Sequence, residues 1–254
     1  MSGVRLILLR HALVLRRNRP WRLIVFGVFE PFLYLASLGV GLGTLVGRIS
    51  DSGTPIRYAA FVAPALLATS AMNTSVEETT VAVWVRLRFG HFYQAIVTTP
   101  LRTVDIVRGE VAAAMLRGTL ATVSFLVIVT ALGLVESWWG LLLFPAALVI
   151  TFGFAGAGMA VATLLRSWQH QQYVQLVMLP MFLFATTFYP LSTYPSALRW
   201  LVAVLPLTQA TELLRDLSLG RVGAALLVPV LYLALLGLAG LSFASRRLGQ
   251  LLLR

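Results

Sequence analysis

Lysine and cysteine are both missing from the 254 residues, and histidine occurs only three times. Without lysine there is no P-loop, because that motif uses a lysine to reach the nucleotide phosphates, so this chain holds no ATP- or GTP-hydrolysing site of that kind. Without cysteine there are no disulfides, no thiolate chemistry and no cysteine-based zinc or iron–sulfur site. Charge is scarce too, at 11% of residues, where a soluble globular domain carries about 25%. A chain with 59% hydrophobic residues and a mean hydropathy of +0.87 cannot cover a water-facing surface. The composition specifies a polytopic membrane protein.

The net charge of +11 rests on arginine alone, 20 residues against 9 acidic ones. In a soluble domain that excess would point to nucleic acid; here it reads as a topology signal, and no nucleic-acid partner is expected. Residues 1–22 hold Arg5, Arg10, Arg16, Arg17, Arg19 and Arg22 around an apolar stretch from Leu6 to Leu15. That stretch is too short to cross a bilayer and no small-residue cleavage site follows it. It predicts an amphipathic helix lying on an anionic membrane surface.

Six longer apolar segments follow, at 23–46, 58–80, 112–134, 139–165, 172–190 and 222–245, each long enough for a helix to cross a hydrocarbon core of about 30 Å. With the amino terminus in the cytoplasm, 14 arginines fall inside: six in the amino-terminal arm, then Arg86, Arg88, Arg102, Arg108, Arg166, Arg246, Arg247 and Arg254. Five fall outside, namely Arg48, Arg57, Arg199, Arg215 and Arg221, and Arg117 lies within the third span. The positive-inside rule therefore places both termini in the cytoplasm.

Gly39, Gly43 and Gly47 recur every fourth residue in the first span and predict a smooth face for helix packing. Gly153, Gly156 and Gly158 sit inside an apolar run, where they predict helix packing rather than a phosphate loop. Pro31, Pro64, Pro145, Pro180 and Pro229 fall within five of the spans and predict bent helices. The segment 191–221, which follows Pro190, is too apolar for an ordinary loop. Tyr194 and Pro195, then Pro206, divide it into two short helical pieces that predict a re-entrant hairpin on the outer side.

Catalytic groups are few. His11, His91 and His170 all fall at or near the cytoplasmic side, so an intramembrane serine or metal hydrolase lacks its base or its ligands. Glu77 and Glu78 read as a solvated helix end. Glu30 lies about two turns inside the first span, where a carboxylate is costly unless protonated or paired, and Arg117 is a candidate partner. The stretch from Trp84 to Arg102 mixes aromatic and basic residues. Two readings fit it, an interfacial helix or a short helix docked on a cytoplasmic partner.

Three stretches resemble the membrane subunit of ABC-2 type exporters. They are the loop with Gly90 and Thr99-Pro100 leading into Asp105-Ile106-Val107-Arg108-Gly109-Glu110; Leu179-Pro180 with Phe188-Tyr189-Pro190-Leu191 and Tyr194-Pro195; and Leu205-Pro206-Leu207 followed by Glu212-Leu213-Leu214-Arg215. Glu30-Pro31-Phe32-Leu33-Tyr34, Leu38 to Gly43, and Tyr93-Gln94-Ala95-Ile96 resemble the branch holding nodulation-factor (lipo-oligosaccharide) and drug-resistance permeases. Two departures are Gln94, where an acidic residue is expected, and His170-Gln171-Gln172, which replaces a more acidic stretch.

The resemblance implies an all-α protein, one transmembrane domain over 1–254, with an interfacial helix at 1–22, six transmembrane helices, a coupling helix at 84–102 and an outer re-entrant hairpin at 191–221. It implies half of an exporter in a bacterial inner membrane, built from two permease chains, identical or different, and two separate ATP-binding subunits. This chain would carry no cofactor, and ATP with magnesium would sit in the partner. Contact with that partner would run through Arg86, Arg88, Gly90, His91, Phe92, Tyr93, Gln94, Thr99 and Pro100. The apolar outer hairpin suits an amphiphilic cargo better than an ion. Two other classes stay open on the residues alone: a secondary transporter or channel using Glu30, and an intramembrane hydrolase.

Overall fold

A computed structural model describes residues 32–51, 53–88, 103–135 and 137–252, together with Val4, Ile7, Leu9, Arg10, His11, Leu13 and Phe29. Helix dominates. The first apolar helix, α1, covers Phe32–Val46 and includes a π-helical stretch at Ser37–Leu42. A short antiparallel hairpin follows, β1 at Arg48–Asp51 and β2 at Thr54–Arg57, with Ile49 opposite Ile56. Gly53 takes φ +83° in its two-residue turn, a conformation that glycine adopts freely. The protein is mostly helical, as expected, and this hairpin of eight strand residues is the exception among the described residues.

Among the described residues four helices are long and apolar enough to cross a membrane. They are α2 at Tyr58–Arg88, α3 at Thr103–Ala131, α4 at Trp138–Leu164, entered through a 3-10 turn at Trp138–Leu142, and a last helix over Ala224–Leu251. Two of them extend past the expected spans, α2 by eight residues beyond position 80 and α3 by nine before position 112. The added turns carry Arg86, Asp105, Arg108 and Glu110, which a hydropathy reading leaves out. Pairing of Arg86 with Glu110 is what lets that charge stay helical and partly buried.

The fifth expected span, 172–190, is shorter than predicted. Helix α5 runs only from His170 to Phe184, and the chain then turns through Thr186 at φ +54°. Beyond Pro190 a 3-10 turn leads to α6 at Ser196–Val204 and α7 at Pro206–Leu219. Pro206 occupies the first turn of α7, where a missing N–H costs nothing, and Gly220 closes it in the left-handed conformation. These are the two short pieces predicted between the last two spans. Helix α8, Leu227–Leu252, completes the chain.

Helices α2, α4 and α7 form the centre, with Phe61, Leu66, Ile150, Leu207 and Leu213 fully buried among them. Helices α4 and α8 meet backbone to backbone. A Cβ on Gly153 would lie 2.8 Å from the Leu233 carbonyl oxygen, and one on Gly156 2.7 Å from Gly237 Cα. The predicted packing role of the Gly153–Gly158 run is thus seen directly. The first-span glycines behave otherwise: among the described residues a Cβ on Gly39 would meet Ala59 at 3.4 Å, whereas Gly43 and Gly47 offer no such packing face, the π-helical stretch breaking the fourfold spacing and Gly47 ending the helix at φ +66°. Pro64 and Pro180 lie inside helices. Pro145 stands at the third residue of the α-helical part of α4, Leu143–Leu164, and Pro229 at the third residue of Leu227–Leu252, both within the first turn, and Pro31 falls outside the described residues.

Candidate functional site

Two polar features interrupt the apolar bundle. The first is a charge cluster where α2 ends and α3 begins. Glu78 and Glu110 are buried, at 7% and 1% exposure; Arg86 bridges them and Arg117 joins at Glu78. Arg86 donates to Glu78 Oε1 at 2.8 Å and to Glu110 Oε2, while Arg117 donates to Glu78 Oε2. His11 Nε2 lies 3.2 Å from Glu110 Oε2, and Ile7, one turn earlier, fills the space beside Gly109. Positions 7 and 11 are buried while Leu9 and Leu13 are exposed, so the amino-terminal helical residues present one face to α3 and an apolar face outward.

Glu78 is therefore not the solvated helix end that its neighbour Glu77, which is exposed, remains. Two arginines within reach of one carboxylate compensate its desolvation. Arg117 gives its Nη1 to Glu78 from α3. Glu30, the other half of the expected intramembrane pair, lies outside the described residues. So do Gly90, His91, Phe92, Tyr93, Gln94, Thr99 and Pro100. Of the expected coupling residues, Arg88 is exposed at the end of α2 and Arg86 turns inward to the cluster.

The second feature is a groove between α2 and α5. One cavity of about 160 Å³ is walled by Tyr34, Ser70, Asn73, Gln175 and Phe182. It adjoins another of about 400 Å³, which shares Asn73 and Gln175 and reaches Glu77, Gln171 and Trp168. On α2 the residues 70, 73, 77 and 80 share one helix face, as do 171, 175, 178 and 182 on α5. Amide groups alternate there with aromatic rings, the combination that hydrogen-bonds and stacks on an uncharged polar molecule. Gln171 is 9% exposed and neither polar atom of its amide finds a partner among the described residues. A buried amide without partners carries a desolvation cost that a bound polar group would offset. Sequence reasoning had taken His170-Gln171-Gln172 only as a departure from an acidic stretch, and had missed Asn73 and Gln175. Their helical spacing was the available signal.

The expected outer hairpin is tied by Tyr194, whose hydroxyl donates to the Phe184 carbonyl, and by Arg199, which donates to the carbonyls of Ser192 and Tyr194. Pro190 is buried, and Pro195 caps α6. On α7, burial pushes the Glu212 carboxyl above its usual range and lowers the Arg215 guanidinium to about 10, so Arg215 stays charged at neutral pH. Among the described residues no group of three or more metal-ligating side chains is brought together.

The family profile described as ABC-2 type transporter matches residues 4–219. Nodulation protein J of Rhizobium meliloti (strain 1021) is 34% identical over 194 residues, covering 75% of this chain and 72% of that protein. Nodulation protein J of Bradyrhizobium diazoefficiens is 31% identical over 247 residues, 92% of each chain.

Proposed function

Since this chain belongs to the ABC-2 type transporter family, we propose that it is the membrane permease of an exporter for an amphiphile, driven by separate ATP-binding subunits. Two permease chains and two ATP-binding subunits form the working unit, in a bacterial inner membrane, with both termini in the cytoplasm. The helices α1 to α5 and α8 provide six crossings, and α6 with α7 forms the re-entrant outer hairpin. The relatives' name, Nodulation protein J, and the resemblance to lipo-oligosaccharide permeases favour a cargo with an apolar tail and an uncharged, hydroxyl-rich head. The groove of Asn73, Gln171 and Gln175 beside Tyr34 and Phe182 suits such a head.

The observation that carries the coupling part of this reading is the charge cluster. The connection 89–102 lies between Arg88, the last residue of α2, and Thr103, the first of α3. Arg86 and Glu110 join those two helices through an ion pair, and His11 brings in the amino-terminal segment. Force applied to 89–102 by closing ATP-binding subunits would therefore move α2, α3 and the interfacial segment together, as a rigid-body shift.

The test is the double variant Phe92→Ala with Tyr93→Ala. Truncating aromatic anchors in a partner's groove typically costs about 2 kcal/mol or more, whereas losing a membrane-surface contact costs about 1. The variant should insert and fold normally, yet lose copurification of the ATP-binding subunit or hydrolyse ATP without export. Normal copurification and normal export would reject the coupling role of 89–102.

A further inference from the structure

Buried hydroxyls on the long helices mostly bond back to their own helix. Thr69 donates to the Ala65 carbonyl, Thr79 to Ser75 and Thr151 to Ala147. Helix α7 departs from this habit. Thr208 and Thr211 are fully buried there and neither hydroxyl has a partner. Thr186 and Thr187, just past the end of α5, are also fully buried with unpartnered hydroxyls. Among the described residues five threonine hydroxyls are in this state, and only Thr122 on α3 lies outside these two segments.

One side chain ties the two segments together. Arg215 follows Thr208 and Thr211 by seven and four residues, which places all three on one face of α7. Its Nη2 donates to the Thr186 carbonyl at 2.7 Å and its Nε to the Phe61 carbonyl at 3.2 Å, with the guanidinium 3.7 Å from the Phe61 ring centre. No carboxylate pairs with it among the described residues. Thr186 is the only non-glycine residue with positive φ among those described, a strained state for a β-branched side chain. Such strain persists where the surroundings over-determine it, and here Arg215 holds the carbonyl in place.

The position relative to the groove gives the seam its meaning. Phe182 walls the groove, and Thr186 comes four residues later along the same chain. Phe61 lies on α2 nine residues before Ser70, about 13 Å along a helix. The groove and the contacts of Arg215 thus share helix α2 and the chain that continues from α5.

We propose that the seam between Thr186–Thr187 and the Thr208–Thr211 face of α7 is the exit gate of the transport path, latched by Arg215 and lined by hydroxyls that gain partners when it opens. The gate rests on the exporter reading above. While shut, the four hydroxyls are desolvated with nothing returned, so the closed seam is less stable than an apolar one of the same shape. Once open, water or the hydroxyl-bearing head of the cargo supplies the missing hydrogen bonds. The latch is a cation whose direct contacts are two carbonyls and a ring, with Asp51, Glu212 and Asp216 attracting it from beyond ion-pair distance, so it can be released without breaking a direct ion pair.

The absence of native cysteine makes the test direct. In proteoliposomes holding the permease with its ATP-binding subunits, Thr187→Cys and, separately, Thr208→Cys are exposed to an impermeant maleimide on the outer side. Labelling should be slow without nucleotide and at least about tenfold faster with ATP and vanadate, the change expected when a charge-assisted hydrogen bond is lost. Equal rates in both states, with ATP-driven export intact, would overturn the gate.

Two further variants keep the outcome decisive. Arg215→Met should raise labelling of Thr208→Cys without nucleotide, while labelling of Ser196→Cys on exposed α6 stays constant as a folding control. Unchanged labelling there rejects the latch whatever energises transport. Thr208→Val with Thr211→Val replaces both hydroxyls by methyls, and should raise the unfolding temperature while slowing nucleotide-driven labelling of Thr187→Cys. A merely structural role predicts no slowing, and that result would count against the gate. Failure of the exporter reading looks different: no ATP-binding subunit copurifies, and the Arg215→Met arm then decides the latch by itself.

Discussion

The two ends of α2 solve the problem of buried charge in opposite ways. At the Arg86 end, two carboxylates and two guanidiniums interlock, each buried acid meeting at least one arginine. At the Phe61 end, about 37 Å away for 25 residues of helix, Arg215 is buried in contact with two carbonyls and a ring, with Asp51, Glu212 and Asp216 acting on it only from beyond ion-pair distance, among hydroxyls without a partner among the described residues. The first arrangement resists separation, because pulling any member away strands another charge. The second breaks no direct ion pair. An exporter that receives force at one end and opens at the other needs this asymmetry, since a firm joint transmits and a weak joint yields.

The sharpest way to break the comparison is Glu78→Ala. It removes the shared acceptor of Arg86 and Arg117 and leaves two guanidiniums facing each other in a partly buried site. Breaking a buried pair by deleting one member costs about 3–5 kcal/mol. Thermal unfolding in detergent should register a large drop, with Glu78→Asp losing less. Wild-type stability in Glu78→Ala would mean the cluster is not a structural joint, and the contrast between the two ends would fall.

A smaller effect is expected from Gly156→Val on α4. The added Cβ would meet the Gly237 backbone, which cannot move aside as a flexible side chain would. Overpacking of this kind costs about 1–3 kcal/mol. The loss should appear as lower thermal stability, with labelling of Thr208→Cys unaltered at rest, because the backbone met by the new side chain is that of Gly237 on α8 and not that of α7 or Thr186–Thr187. A change in gate labelling without loss of stability would show that the glycine seam moves during transport.

How far the sequence revealed this molecule depended on what each signal measures. Hydropathy finds apolar runs, so it located α2, α3, α4 and α8 but trimmed α2 and α3 at Arg86, Arg108 and Glu110. The pairing that joins the two helix ends is not local in the chain, since Arg86 and Glu110 are 24 residues apart. Proline spacing divided 191–221 into two helices correctly, because Pro195 and Pro206 act locally. The glycine repeat of the first span misled for a similar reason: a fourfold spacing presumes 3.6 residues per turn, and the π-helical stretch at Ser37–Leu42 does not keep it. The groove was the least legible part. Asn73 and Gln175 are unremarkable singly, and only the packing of α2 against α5 sets their amides beside Tyr34 and Phe182.

The mildest expected effect sharpens the comparison by adding an exposed charge pair. Arg221, just past α7, donates to Asp51 Oδ2 at 2.6 Å, to the Asp51 carbonyl at 3.1 Å and to Thr54 Oγ1 at 2.9 Å, which fastens the β-hairpin to the end of α7. Geometry here is as good as at Glu78, yet the Arg221 side chain is 28% exposed. Solvent and salt screen such a pair, and exposed pairs contribute roughly 0.2–1 kcal/mol. Arg221→Met should therefore lower stability only slightly at low ionic strength, and raising salt to about 1 M, where the Debye length falls to about 3 Å, should erase the difference. The same salt should leave the Glu78→Ala loss nearly intact. If both losses shrank together, solvent would reach the Glu78 cluster, and the firm end of α2 would owe its strength to packing rather than to buried charge.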